Sequence, residues 1–184
     1  MIIIGITGTL GAGKGTIVDY LVNQKKIAHY SVRAYLIHEI EKLGLPNNRD
    51  SMTLVANRLR AENSPSFITD ELYKEALKSG KTAIIESIRT PGEIESLRSK
   101  GKFYLLAVDA DPEIRYERIV QRASETDKIS FETFLANEAR EMNSHDINKQ
   151  NLKKCIELAD FAFDNNGDFA LLYQQVEQVI SKII

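Results

Sequence analysis

Short apolar runs alternate with longer stretches whose apolar residues recur every three or four positions. That pattern predicts repeated strand–helix units and a parallel sheet. Five runs read as strands: Ile2–Thr7, Ile27–Ser31, Thr82–Glu86, Phe103–Asp109 and Phe161–Asp164. Several are apolar on both faces, as strands covered by helices on each side must be. The helices carry their own signals. Thr90-Pro91-Gly92-Glu93 offers an N-cap, a proline at the first helical position and a reciprocal Glu. Asp111-Pro112 and Ser64-Pro65 repeat the cap-then-proline arrangement. Ile17, Val18, Leu21 and Val22 form the apolar side of the first helix, and Leu172, Val176, Val179, Ile180 and Ile183 that of the last. Asn165-Asn166-Gly167 is the turn before that last helix. No repeat or linker interrupts the pattern, which predicts one domain over residues 1–184. Two regions read as insertions: the helical stretch Ala34–Ser79 and the polar stretch Arg122–Ser130.

The composition narrows the classes of function. With 184 residues and 43% hydrophobic content the chain can bury one full core. A net charge of −2 leaves no overall basic field for nucleic acid, so an anion site must be a local cluster. The single cysteine, Cys155, excludes an intramolecular disulfide and fits a reducing setting, where it reads as a small buried apolar residue. No apolar run approaches the ~20 residues needed to span a bilayer. The N-terminal Ile cluster runs straight into glycines and a lysine, unlike a signal peptide. The expectation is a cytoplasmic chain with no membrane or nucleic-acid partner, monomeric or weakly homo-oligomeric. His29, His38 and His145 show no metal-ligand spacing.

The chemistry starts with GTLGAGKGT, Gly8 to Thr16, between a buried strand and an amphipathic helix. Glycines let backbone N–H groups wrap a phosphate, the helix N-terminus adds positive potential, and Lys14 reaches the outer phosphates. The usual pattern places Ser or Thr after the lysine to hold magnesium; here that residue is Gly15. The stretch resembles the GxxGxGKGT loop of adenylate kinase and its nucleoside monophosphate kinase relatives, where glycine follows the lysine. The resemblance assigns Gly8, Gly11, Ala12, Gly13, Lys14, Gly15 and Thr16 to ATP. Thr16 takes the α-phosphate contact and is also a candidate metal contact, with Mg2+ held mostly through water.

The third strand ends IIESIRTP, Ile84 to Pro91. Ligands of open parallel sheets sit beyond the carboxyl ends of the strands, so Glu86 and Arg89 should face the crevice of Lys14. The segment resembles the DGFPRT of adenylate kinases and, more nearly, the IDGIR of archaeal adenylate-kinase-related proteins. By that resemblance Glu86 organises Mg2+ through water and Arg89 grips the acceptor phosphate; Ser87 stands where the family has glycine. In DPEIRYERIVQR, Arg115, Arg118 and Arg122 fall at i, i+3 and i+7 on one helical face. The run resembles the entry to the kinase lid, which carries over Arg118 and Arg122 but not Arg115, with Arg140 as a looser further match. The lid itself, about 122–130, has no cysteine and so no zinc staple.

The acceptor side departs most from relatives. Dephospho-CoA kinases, which the loop and the Ala159-Asp160-Phe161…Asn165 ending also resemble, carry a D-A-D segment where this chain has Ser31-Val32-Arg33. A hydroxyl acceptor needs a carboxylate to take its proton, whereas an arginine suits an acceptor already bearing a phosphate. The arginine of adenylate kinase at this place falls on Ile37, so Arg33 would substitute for it. Arg58 and Arg60, two apart on a helix, cannot share a face. The segment around them resembles an LRxE segment of the archaeal relatives, and by that resemblance Arg60 is the acceptor-facing one. Asn165 and Asn166 are candidates for the adenine pocket.

The resemblance therefore implies a three-layer α/β P-loop kinase fold. It has a five-stranded parallel sheet in the order 2-3-1-4-5, a helical acceptor-binding region (34–79) and a short lid. The expected reaction moves the γ-phosphoryl of Mg·ATP onto a nucleoside or deoxynucleoside monophosphate. Lys14, Arg89, Arg118 and Arg122 would be catalytic, and Arg33, Arg60 and Arg89 would bind the acceptor. The alternatives are transfer to a hydroxyl, as in dephospho-CoA kinase, and a regulatory ATPase or NTP-binding switch.

Overall fold

A computed structural model describes residues 1–123 and 128–184. Five strands, β1 (Ile2–Gly8), β2 (Ala28–Ser31), β3 (Ala83–Glu86), β4 (Lys102–Asp109) and β5 (Phe161–Asp164), form one sheet in the order β2-β3-β1-β4-β5. Every pairing is parallel, as the alternating pattern predicted. The strands match their sequence positions to within one residue at each end.

Period-two alternation sorts the strand residues onto two faces. Ile4, Ile6, Ile84 and Val108 pack with Ile17, Val18 and Leu21 of α1 (Lys14–Lys25) and with Leu172, Val176 and Ile180 of α9 (Phe169–Ile183). Ile3, Ala83, Ile85 and Leu105 face the other layer. That layer holds α2 (Val32–Lys42), α3 (Arg49–Glu62), α4 (Phe67–Ser79), α5 (Pro91–Ser99) and α8 (Leu152–Glu157). Cys155 lies inside it, and burial pushes its thiol pKa up, so it is packing and not a nucleophile.

Caps set where these helices begin. At α5 the predicted capping box is complete: Thr90 Oγ1 accepts from Glu93 N, and Glu93 Oε2 accepts from Thr90 N at 3.0 Å. The Ser64-Pro65 reading is corrected. The helix starts two residues later, with Ser66 as N-cap, because Ser64 O accepts the Phe67 N–H in a turn. Asp111 does cap α6 (Pro112–Arg122) by position, but its side chain makes no capping hydrogen bond. Following α6, the predicted lid falls largely on residues 124–127, outside the described residues, and α7 (Phe131–Met142) takes up the chain after it.

The parallel arrangement puts the carboxyl ends of β1, β2 and β3 side by side. Ser31 is in register with Glu86, and Glu86 with Ile6.

Candidate functional site

β1 delivers the loop directly into α1. Gly13 is the N-cap of α1 at φ 110°, a left-handed backbone that L side chains rarely adopt. A methyl there would also lie 2.4 Å from Asn165 Nδ2, which donates to Ala12 O at 2.8 Å. Asn165 is thus a brace under the loop, 1% exposed, and it is not among the residues lining the cleft; nor is Asn166, which accepts from Asp111 N. The adenine-pocket reading of Asn165 is corrected: its backbone N–H donates to Asp109 O at the end of β4, and its side chain turns inward against the loop. A Gly13→Ala variant is expected to lose about 1–3 kcal/mol of stability through this overpacking and strain. An unchanged urea midpoint would show that the loop and Asn165 are not in close contact. Gly15 is different, since a side chain at that position meets nothing within 4 Å.

The loop, the end of β3 and α6 enclose an open cleft of about 680 Å3. Lys14, Thr16, Glu86, Arg89, Arg118 and Arg122 all line it, so the structure brings these predicted site residues into one cleft. Arg33 lines it as well, from the first turn of α2. Lys14 Nζ donates to Gly8 O and Thr9 O, each at 2.7 Å, curling back over its own loop. Burial first, and the nearby Arg89 second, lower its pKa to about 7.

Glu86 accepts from Ser31 Oγ at 2.9 Å and, through its other oxygen, from Ser87 Oγ. Ser87 holds φ 64°, the left-handed conformation that the family's glycine adopts freely and a serine adopts at a cost of about 1 kcal/mol.

Arg89 donates to Gln150 Oε1 at 2.6 Å and to Glu141 Oε2. Glu141, only 3% exposed, accepts through Oε1 from Arg49 Nη2 at 2.9 Å. Burial opposes charge on this carboxyl, but the Arg89 and Arg49 guanidiniums outweigh it and hold its pKa below the ordinary carboxylate value. Arg49, Glu141 and Gln150 were missed by sequence reasoning. The usable signal was on α7, where Phe134, Glu138 and Glu141 follow one another at i, i+4 and i+7, a stripe that begins with a buried aromatic.

On α6 the three arginines separate. Arg118 Nη2 donates to Asn165 O at 2.8 Å, its guanidinium lies 6.0 Å from the Phe169 ring, and Phe169 itself lines the cleft. Arg115 is buried instead. It donates to Ala110 O at 2.6 Å and pairs with Glu138, so it fastens α6 to α7, and its shared face with Arg118 and Arg122 does not extend to the cleft. Arg140 pairs with Asp50 at 3.3 Å outside the cleft. Arg60, 1% exposed, pairs with Glu93 at 3.1 Å and lines a smaller hollow beside the cleft, while Arg58 is exposed and paired with Glu62.

A parallel sheet in this order, with a glycine-rich loop leading from its central strand into a helix, is the architecture of the P-loop kinase fold. Residues 4–144 match the AAA domain family, and the chain belongs to it. Over 188 residues it is 29% identical to a UPF0200 protein of Pyrococcus abyssi, covering 99% of this chain and 97% of that one. Among solved structures it is similar to a putative kinase from Chloroflexus aurantiacus, with TM-score 0.60, 20% identity, and 100% and 97% of the two chains covered. It is similar also to a dephospho-CoA kinase from Campylobacter jejuni, with TM-score 0.53, 17% identity, and 98% and 96% covered. No helix among the described residues is long and apolar enough to cross a membrane.

Proposed function

We propose that the protein is an ATP-dependent phosphotransferase that moves the γ-phosphoryl of Mg·ATP onto a nucleoside or deoxynucleoside monophosphate. One observation carries this reading. The cleft is lined by arginines from two sets of elements: Arg118 and Arg122 from α6, and Arg33, Arg49 and Arg89 from α2, α3 and the segment after β3, the last two acting on Lys14. A site for a single nucleotide needs only the first. The second is already matched to an anion, because Glu141 occupies Arg49 and Arg89.

In this mechanism the loop amides and Lys14 hold the donor phosphates. Arg89 and Arg49 hold the acceptor phosphate in line with the γ-phosphorus. An acceptor oxygen forms the new P–O bond as the bond to the β–γ bridging oxygen breaks, and ADP leaves with the electron pair. Arg118 and Arg122 stabilise charge on the equatorial oxygens. Among the described residues no cluster of three or more His, Cys, Asp or Glu could hold a metal ion alone. The residues present would suit Mg2+, which keeps most of its waters and binds through phosphate: Glu86 in the cleft would hold it through water, with Thr16 as a further candidate contact. Bound there, Mg2+ supplies charge neutralisation on the β- and γ-oxygens.

Transfer to a hydroxyl is the second reading, since Glu86 is a carboxylate in the cleft. Both of its oxygens already accept serine hydroxyls, so a substrate hydroxyl would have to compete for them. ADP release with Mg·ATP and a panel of monophosphates and dephospho-CoA tests the choice. Turnover only with dephospho-CoA would overturn the monophosphate reading, and acceptor-independent release would point to a switch ATPase. Arg89→Ala is expected to raise the acceptor KM by about 10–100-fold while moving the ATP KM far less. Equal changes in both would remove Arg89 from the acceptor side.

A further inference from the structure

Beside the cleft lies a hollow of about 100 Å3, bounded by Val32, Leu36, Met52 and Ala56 and by arginines it shares with the cleft. Arg60 is part of its wall. Its Nη2 donates to Glu93 Oε1 at 3.1 Å, but its buried Nε and Nη1 have no partner, and neither does Nε of Arg49. A guanidinium offers donors only, and buried donors left unpaired are costly. The carboxylates nearby have no oxygen to spare. Glu93 Oε2 accepts the N–H groups of Arg89 and Thr90, and Glu141 is held by Arg49 and Arg89. The hollow therefore combines an apolar rim with unanswered hydrogen-bond donors.

We propose that this hollow receives the base of the acceptor and selects a pyrimidine with an oxo group at the 4-position, uracil or thymine, over bases that carry an exocyclic amino group in that place, cytosine and adenine. The inference rests on the monophosphate-kinase reading and names the substrate class within it. The volume is that of roughly three waters, which one six-membered ring displaces. An oxo oxygen entering the hollow accepts from Arg60 or Arg49. An exocyclic amino group in the same place sets N–H against N–H and leaves both unpaired, which is how a site built to hydrogen-bond rejects an analogue. The apolar residues of α2 and α3 cover the ring faces. Glu93 fixes the guanidinium through Nη2, so Arg60 is pre-set before the ligand arrives.

The test is kcat/KM for UMP, dTMP, CMP and AMP with Mg·ATP, in the natural protein and in an Arg60→Met/Glu93→Gln double variant. The double change removes both charges of the buried pair, and Gln still serves the capping box. The natural protein should favour UMP or dTMP over CMP and AMP by about tenfold or more, and the variant should bring the ratio within about threefold. Equal or better use of CMP or AMP overturns the base assignment while leaving the kinase reading standing. A ratio that survives in the variant also overturns it, because Arg60 is then not the reader. Lack of transfer to every monophosphate overturns the underlying reading and this inference with it. Should the variant not fold, calorimetric affinities of the natural protein decide: UMP must bind about tenfold more tightly than CMP, and equal binding sinks the proposal.

Discussion

Replacing Lys14 with methionine is expected to lower phosphoryl transfer by at least about 10²–10³-fold, with the fold intact. Methionine keeps the length and apolar stem but removes the only cation that the loop itself supplies. Lys14 Nζ at present satisfies two loop carbonyls, Gly8 O and Thr9 O. Binding of ATP must draw it off them toward the outer phosphates. A variant retaining a near-full rate would take Lys14 out of the mechanism.

The same residue sets a pH dependence. Burial holds its pKa near 7, against about 10.4 for an ordinary lysine. Between those values the folded, ligand-free protein carries fewer protons than the unfolded chain, so this group makes stability rise with pH across that window. Triphosphate binding favours the charged form and takes up a proton. Affinity for ATP should therefore fall as pH rises above about 7, by up to about tenfold per unit. Calorimetry in buffers of differing ionisation enthalpy reads the proton uptake directly, and Lys14→Met should abolish it.

The frame of this site was legible because local rules and packing agree on it. Ile3, Ile4 and Ile6 must be buried on alternate faces, and the only chain geometry after them that continues into the Lys14 helix is a tight glycine turn. The cap at Thr90 fixes where α5 begins and so where Arg89 ends up. What escaped was any pairing between charged residues far apart in sequence. Arg89 and Glu141 are 52 positions apart, and Arg60 and Glu93 are 33 apart. A run such as NEAREM has the composition of a solvated helix face, and only the packing of α7 against α6 and α8, with Arg49 and Arg89 brought up to it, buries Glu141. Similarly, Arg115 and Arg118 differ by three positions, yet one is a structural clamp and the other a cleft residue, because α7 supplies Glu138 to the first alone.

The order of costs explains why this side of the cleft gathers arginines around so few carboxylates. Arg49 and Arg89 are each 19% exposed at the side chain, too buried to stand unpaired. Glu141 answers both while the site is without a ligand, and a phosphate offers more oxygens to the same donors. On the proposed reading, Glu141 would be a seat-holder for the acceptor anion as well as a structural residue.

Glu141→Gln is the measurement that separates these two roles. The amide keeps the shape but withdraws the counter-charge from Arg49 and Arg89, and breaking a buried pair in this way costs about 3–5 kcal/mol. Unfolding in urea without ligand should show a loss of about that size. The natural protein should also weaken in acid. Its Glu141 pKa is below the unfolded value of about 4.3, so the stabilisation is present above that pH and lost as pH falls through the folded value. The variant should lack this part of the acid slope. Inorganic phosphate should then restore the variant more than it stabilises the natural protein, since it fills a seat that the carboxylate otherwise holds. A midpoint unmoved by the substitution would mean that the two guanidiniums do not depend on Glu141. A loss that phosphate fails to reverse would make Glu141 a structural residue only, with no claim on the acceptor seat.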